Sequence, residues 1–326
     1  MKEIKITLNQ MLDAREARSI RQKNLLDQYR LPLLCFTMNI AGEVKTSPLI
    51  KLAFEAGLEQ VEACFKKAVY SEKHYCVTGP EAYVLLDFPA PYIKERCCGI
   101  EDATPVGRLY DLDVFDASGN KLSRGSPRTC IVCGRPAFAC SRSREHGLDE
   151  ICRKTNEILT NFAAEYLADT AVKALKEEAC LTPKPGLVDM NNSGAHSDMD
   201  LELLCKSADS LRSYFVKAVK LGAGFENCMA ELQSAGLEAE NCMFTVTGGV
   251  NTHKGAIYGL GLLLAALGSC LSRQDNLFLR ASALAKAGNS IKKHPRSGCS
   301  RQVWCARSKA GGGVGVSRRA KCHAKP

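Results

Sequence analysis

Apolar positions in the first thirty residues recur at helical spacing. Leu12, Ala17, Ile20 and Leu25 stand among charged residues over Asn9–Tyr29, which predicts an amphipathic helix with a basic face of Arg15, Arg18 and Arg21. Leu31–Ile40 is an apolar run of strand length, closed by Ala41-Gly42. Ser47–Lys67 reads helical. Cys76–Pro80 is a turn leading into a short strand over Tyr83–Phe88. Val106–Phe115 and Lys121–Ser123 predict a hairpin around Asp116-Ala117-Ser118-Gly119. Strands and helices thus mix up to about residue 125, the texture of an α/β or α+β domain. From Leu148 the texture changes. Leu148–Cys180 keeps helical periodicity without Gly or Pro, and Asp200–Gly222 and Asn251–Arg273 follow suit. No period-2 segment interrupts them, so the second half is predicted all-α, with the boundary near Gly147.

The 326 residues favour two domains. An apolar share of 45% and a charged share of 24% exclude collagen-like, disordered and disulfide-knot classes. The net charge of +9 is local. Residues 291–326 hold ten Lys and Arg and no acid, while the remainder is neutral, so the body shows no nucleic-acid footprint. Seventeen cysteines are spread along the chain in an odd number. Met1–Gln10 is mixed polar, unlike a signal peptide, and Gly255–Gly268 is shorter than the roughly 20 residues a bilayer needs. The expectation is a cytoplasmic protein with reduced thiols and no membrane partner.

Four constellations carry chemistry. In Gly107–Val114, Asp111 and Asp113 lie two apart in a segment of strand character and so share a face. Adjacent carboxylates repel unless a cation joins them, and Mg²⁺ with phosphates is the usual cation. Arg108 is placed to hold a phosphate. The alternative is a solvated face bearing two acids. Next, Cys130-x₂-Cys133 with Cys140 and His146 offers a Cys₃His set for Zn²⁺, with Arg142 and Arg144 interleaved. Its spacing fits no common zinc finger, and the alternative is a run of unligated thiols. Third, Thr182-Pro183-Lys184-Pro185-Gly186 runs into Asp189, Asn191, Asn192, His196, Asp198 and Asp200, with Asp198 a candidate cap for a helix near Leu201. Fourth, Gly248-Gly249-Val250-Asn251-Thr252-His253-Lys254 precedes a helix, an arrangement that suits an anion, although the Walker order is absent. A plain glycine cap is the alternative.

The segments Leu12–Gln22, Gly107–Val114 and Arg128–His146 resemble the CitX family, the apo-citrate lyase phosphoribosyl-dephospho-CoA transferases (holo-citrate lyase synthases). Leu181–Asp200 and Gly248–Gly255 resemble the CitG family, the triphosphoribosyl-dephospho-CoA synthases, and the order is that of bifunctional CitXG fusions. The resemblance implies a nucleotidyltransferase-like α+β domain over 1–147, an all-α synthase domain over 148–290 and a basic tail over 291–326. It implies two reactions. The helical half would join ATP and 3′-dephospho-CoA with loss of adenine. The first half would transfer phosphoribosyl-dephospho-CoA to a serine of the citrate lyase acyl carrier (gamma) subunit with release of pyrophosphate. Asp111 and Asp113 would hold Mg²⁺. Arg15, Arg18, Arg108, Arg142 and Arg144 would hold phosphates. Asp198 and Asp200 would do metal or base work. Lys184, Asn191, Asn192, Gly248, Gly249, Asn251, His253 and Lys254 would bind substrate.

The tail departs from the family. The synthases continue through a Gly-Ala-Arg-Gly-Glu-Ala segment, whereas this chain reads Trp304–Gly313 and stops at Pro326. No acid follows Asp275. The expectation is a C-terminus that is disordered or out of frame from about residue 290, a truncated synthase domain, and activity confined to the transferase half if so. A non-catalytic nucleic-acid-binding protein, disfavoured by the neutral body, and a nucleotide-binding scaffold that retains the fold after truncation are the remaining alternatives.

Overall fold

A computed structural model describes residues 4–273 and 276–291. Beyond its first residue, the predicted basic tail lies outside the described residues. The elements run α1 (Leu8–Tyr29), β1 (Leu33–Met38), α2 (Pro48–Cys64), β2 (Ala68–Cys76), β3 (Gly79–Leu86), α3 (Ala90–Ala103), a 3₁₀ turn (Val106–Leu109), β4 (Tyr110–Phe115), α4 (Ala137–Ser143), α5 (Leu148–Cys180), α6 (Leu201–Ser210), α7 (Arg212–Gly224), α8 (Met229–Val246), α9 (Lys254–Arg273) and α10 (Leu277–Ile291). Mixed α and β followed by helices alone is the predicted class.

The four strands form one antiparallel sheet in the order β2-β3-β1-β4. Alternation along the strands gives it two apolar faces. Leu34, Phe36, Val84, Leu86, Leu112 and Val114 face the main core with α2, α3 and the start of α5, which contributes Ile158, Leu159 and Ala163. Leu33, Cys35, Tyr83 and Leu85 face α1, which supplies Leu25 and Leu26. Thr7 and Ser47 cap α1 and α2 by accepting from Gln10 and Ile50 backbone N–H groups.

Several local expectations are corrected. The apolar stripe read along α1 does not face inward: Leu12 and Ile20 are exposed and Leu25 alone of the four is buried. Toward the sheet α1 turns Arg18 and Arg21, paired with Glu81 and Glu72, and then Leu25 and Leu26 near its end. The hairpin has its turn at Asp116–Asn120, but its return arm is a single bridge, Phe115 to Lys121. Val106–Leu109 is a 3₁₀ turn, not strand. The helix predicted over Asp200–Gly222 is two, broken at Leu211. α9 is longer than the apolar run suggested: by length and composition it could cross a membrane. Here it packs on α7, its Ile257, Ala265 and Ala266 buried. That contact is close because Gly222 and Gly268 face backbone: a Cβ on Gly222 would overlap the Ala265 carbonyl, and one on Gly268 the Val219 carbonyl.

Candidate functional site

β4 alternates as its sequence requires: Tyr110, Leu112 and Val114 are buried, and Asp111 and Asp113 project together from the other face. Both carboxylates are compensated. Asp111 meets Arg128 at 3.3 Å and Asp113 meets Lys121 at 2.6 Å. Across the sheet, Thr37 stands opposite both Asp111 and Glu81. Glu81 is buried and accepts from Arg18 Nε at 2.9 Å and from the Tyr83 hydroxyl at 2.7 Å. The predicted Arg18 therefore reaches this face, while Arg15, one turn earlier, is exposed. Burial pushes the Cys35 thiol beside them up to about 12, which keeps it protonated and unreactive.

The outer edge of β4 is sealed by side chains. Leu112 N–H donates to Glu101 Oε1 at 2.9 Å and Leu112 C=O accepts from Lys94 Nζ at 2.8 Å. Glu101 is fully buried and is met by Arg124 and Arg128. Arg124 and Arg108 both reach Asp102, and Arg108 also donates to the Thr129 carbonyl at 2.6 Å. Three guanidinium groups thus meet three carboxylates, Glu101, Asp102 and Asp111. Burial, then the nearby Arg128, lowers Arg108 from its ordinary value. The Nε atoms of Arg108 and Arg124 are buried without a hydrogen-bond partner. This network borders a cleft of about 560 Å³ lined by Arg108, Arg128, Arg144, His146, Ile131 and Ile151. Arg142 lies outside that lining, over the Phe138 ring at 6.0 Å.

The second predicted cluster forms part of the same cleft wall. Cys130, Cys133, Cys140 and His146 each offer a ligand atom, all within 4.8 Å of one another. Arg135, with help from its backbone and from His146, lowers the Cys133 thiol to about 6. The Cys133 thiol and burial push Cys140 up to about 11.

In the helical half most predicted polar residues are committed to local structure. Asp189 accepts from the backbone N–H groups of Lys184, Asn191 and Asn192 and from the Thr182 hydroxyl, which lowers its carboxyl to about 2. Asn191 Nδ2 donates to Thr182, and Asn192 Oδ1 accepts from Gly194 N–H. Lys184 Nζ takes the Glu178 carbonyl at 2.8 Å, capping the C-terminal turn of α5 where the helix dipole favours a cation. Asp200, not Asp198, caps α6 through Leu203 N–H at 2.8 Å. Asp198 lies 3.6 Å from His196. Asp198, Asp200, His196, Glu202 and Lys206 line one cleft of about 380 Å³.

The glycine turn forms a cap, the alternative its sequence left open. Gly248 and Gly249 have positive φ, and Gly249 N–H bonds the Phe244 carbonyl at 2.8 Å, so they end α8 in a Schellman-type cap. Asn251 is exposed. His253 is turned inward, with Nδ1 2.8 Å from Ser207 Oγ, which in turn bonds Thr252 at 2.6 Å. Burial lowers the His253 pKa, so the ring is neutral. Lys254 pairs with buried Glu240 at 3.0 Å.

Sequence reasoning missed Glu81, Glu101, Arg124, Lys121, Ser207 and Lys206. Strand alternation places Glu81 on the Asp111 face once its pairing is known, but Glu101 and Ser207 sit on helices with no pattern to single them out.

Comparison with known proteins fits this division. Residues 6–162 match the family of apo-citrate lyase phosphoribosyl-dephospho-CoA transferases. Residues 164–309 match the family of ATP:dephospho-CoA triphosphoribosyl transferases. The CitXG protein of Haemophilus influenzae is 42% identical over 285 residues, covering 83% of this chain and 61% of the relative. A triphosphoribosyl-dephosphocoenzyme-A synthase of Haemophilus ducreyi is 42% identical over 154 residues, 44% of this chain and 47% of that protein. A probable apo-citrate lyase phosphoribosyl-dephospho-CoA transferase of Streptococcus pyogenes is 35% identical over 167 residues, 48% of this chain and 87% of that protein. The chain spans about three fifths of the length of the bifunctional relatives it matches. With a transferase relative covered over 87% of its length, the chain belongs to the apo-citrate lyase phosphoribosyl-dephospho-CoA transferase family, and a segment that matches the ATP:dephospho-CoA triphosphoribosyl transferase model follows in the same polypeptide.

Proposed function

We propose that the sheet-bearing half attaches a phosphoribosyl-dephospho-CoA group to a serine of the citrate lyase acyl carrier subunit, and that the helical half makes its triphosphoribosyl donor from ATP and 3′-dephospho-CoA. The Asp111–Asp113 pair on one face of β4, bordered by Arg18 and Arg128, carries the reading. Two hard oxygen donors on one strand face suit Mg²⁺. Their present partners, Lys121 and Arg128, reach the surface and can turn to phosphate oxygens instead. Bound there, the ion supplies activation of the attacking oxygen and neutralises the leaving pyrophosphate. The serine hydroxyl forms the new bond to the α-phosphorus, the bond to pyrophosphate breaks, and the serine proton leaves to solvent. Arg108 and Arg144 line the cleft that would take the rest of the nucleotide.

In the helical half, the 2′-hydroxyl of dephospho-CoA attacks C1′ of the ATP ribose and adenine leaves. Asp198 and Asp200 face one cleft with Lys206, which suits a carboxylate for the hydroxyl proton and a cation for phosphate. Lys254 would serve the triphosphate only by giving up Glu240. Fusion raises the effective concentration of the intermediate at its second site. Thiols such as Cys35, Cys97 and Cys133 favour a cytoplasmic setting.

A mass-shift assay on apo acyl carrier subunit with Mg²⁺ tests both halves. Modification from preformed triphosphoribosyl-dephospho-CoA supports the transferase. Modification from ATP plus dephospho-CoA supports the synthase as well. A folded protein that modifies the carrier with neither donor overturns the reading.

A further inference from the structure

The segment from Arg128 to His146 is held in a defined shape without a core of its own. Of the residues over 128–146, Cys140 alone is buried, and Phe138 is 56% exposed. So little apolar burial cannot offset the cost of ordering some twenty residues, and segments of this kind need a staple. The backbone is nonetheless folded tightly. Cys130 N–H donates to the Arg135 carbonyl at 2.6 Å, Gly134 N–H to the Cys130 carbonyl at 3.0 Å, and Ala137 N–H to the Arg128 carbonyl at 2.7 Å. Gly134 at φ 74° permits that reversal and brings Cys130 and Cys133 to one side. The short helix α4 then delivers Cys140, and Arg144 at φ 49° turns the chain so that His146 returns to the same point.

Four side chains separated by two, six and five residues therefore converge. Cys133 Sγ and Cys140 Sγ are 3.4 Å apart, and all four ligand atoms lie within 4.8 Å of one another. Tetrahedral zinc with Zn–S bonds of about 2.3 Å sets its sulfurs roughly 3.8 Å apart, so the cluster is already at ligand spacing. The histidine supplies an independent sign. Its Nδ1 is 3.4 Å from Glu150 Oε2, whereas its Nε2 is buried with no hydrogen-bond partner. A carboxylate behind one ring nitrogen, with the other left bare beside three thiols, is the outer-shell arrangement of a metal-bound imidazole. Three thiolates and Zn²⁺ leave one negative charge, and Arg135, Arg142 and Arg144 belong to the same segment.

We infer that Cys130, Cys133, Cys140 and His146 bind one structural Zn²⁺, which staples the 128–146 segment and so holds Arg128 and Arg144 at the basic cleft. The site is closed, with four protein ligands and no place for a substrate atom. It does not depend on the transferase reading.

The full-length protein, purified under reducing conditions, is to be analysed for metal by mass spectrometry. The expected content is about one zinc per chain, falling to near zero in Cys133→Ser and in His146→Ala and unchanged in Cys76→Ser, whose thiol is exposed and outside the cluster. Since a ligand variant can fail to fold, the unmutated chain is also loaded with Co²⁺. Visible bands of tetrahedral cobalt with thiolate charge transfer are expected, and their displacement by one equivalent of Zn²⁺. Reduced, folded protein that takes up neither metal overturns the proposal. So does a Cys133→Ser variant that keeps its zinc, or native protein lighter by two hydrogens through a Cys133–Cys140 disulfide.

Discussion

Asp111 and Asp113 differ in what surrounds them, and the difference makes their roles separable. Asp111 leans on Arg128, a half-buried guanidinium already shared with Glu101, whereas Asp113 leans on the exposed Lys121. Asp111→Asn keeps the shape and removes the charge. It is expected to slow carrier modification from preformed donor by on the order of a hundredfold or more. The thermal midpoint should hardly move, because Asp111 is the solvent-facing partner of its pair and Arg128 keeps Glu101. An unimpaired rate in the mass-shift assay sinks the assignment. Asp189 is the opposite case, an acid whose work is structural. Three backbone N–H groups lower its carboxyl to about 2. A depressed folded value means the stabilisation is full above the ordinary carboxylate value of about 3.9 and fades as pH falls toward 2. Asp189→Asn turns an amide donor toward those N–H groups. Its urea midpoint should lie below the parent's at pH 7, with a narrower gap at pH 3; a gap independent of pH rejects the account. At this scale the sequence was informative where geometry is local. The period of a strand is enough to put Asp111 and Asp113 on one face. It could not tell that Lys254 is taken by Glu240, Lys184 by Glu178 or His253 by Ser207, because those pairings join separate helices and loops.

Among the elements, the contact of α7 with α9 is the one with least room. Gly222 and Gly268 let backbone approach backbone, and Gly261 does the same for Tyr214. Gly222→Val places two methyl groups against the Ala265 carbonyl, where rigid main chain cannot yield. The expected loss is about 3 kcal/mol or more, at the upper end for overpacking. Gly255→Val on the same helix α9, where nothing lies within 4 Å, should cost far less. Equal urea midpoints for the two variants refute the close-packing account. The same scale shows which elements could be read from the chain. α5 runs over the predicted residues because thirty-three positions lack Gly and Pro. β2 escaped because it is an edge strand, exposed on most positions, and so carries no apolar alternation. α8 and α10 escaped because glycine, alanine and polar residues blur their period. The break at Leu211 has no Gly or Pro to announce it.

α5 decides how the whole molecule divides. The composition change at Gly147 suggests a boundary there, yet the transferase family match runs to residue 162, well inside the helix. The physical reason is that the first half of α5 completes the sheet domain. Ile158, Leu159 and Ala163 belong to the same cluster as Phe36, Phe54 and Leu112. Further along, the buried positions are mostly alanine: Ala164, Ala168, Ala171 and Ala179. Burying Ile158 and Leu159 is worth roughly 2 kcal/mol each, a large part of the 5–15 kcal/mol that holds an ordinary domain together. A fragment ending at residue 147 also loses Glu150, which backs His146. It should therefore be insoluble or unfold without cooperativity. A fragment ending at residue 180 keeps the packed turns and exposes mainly alanine, so it should show a single urea transition and transfer the group from preformed donor. A fragment 1–147 matching fragment 1–180 in midpoint would mean that α5 belongs to the helical half alone. The predicted ranking instead makes α5 a shared wall, which the sheet half needs in order to fold although it needs none of the helices beyond.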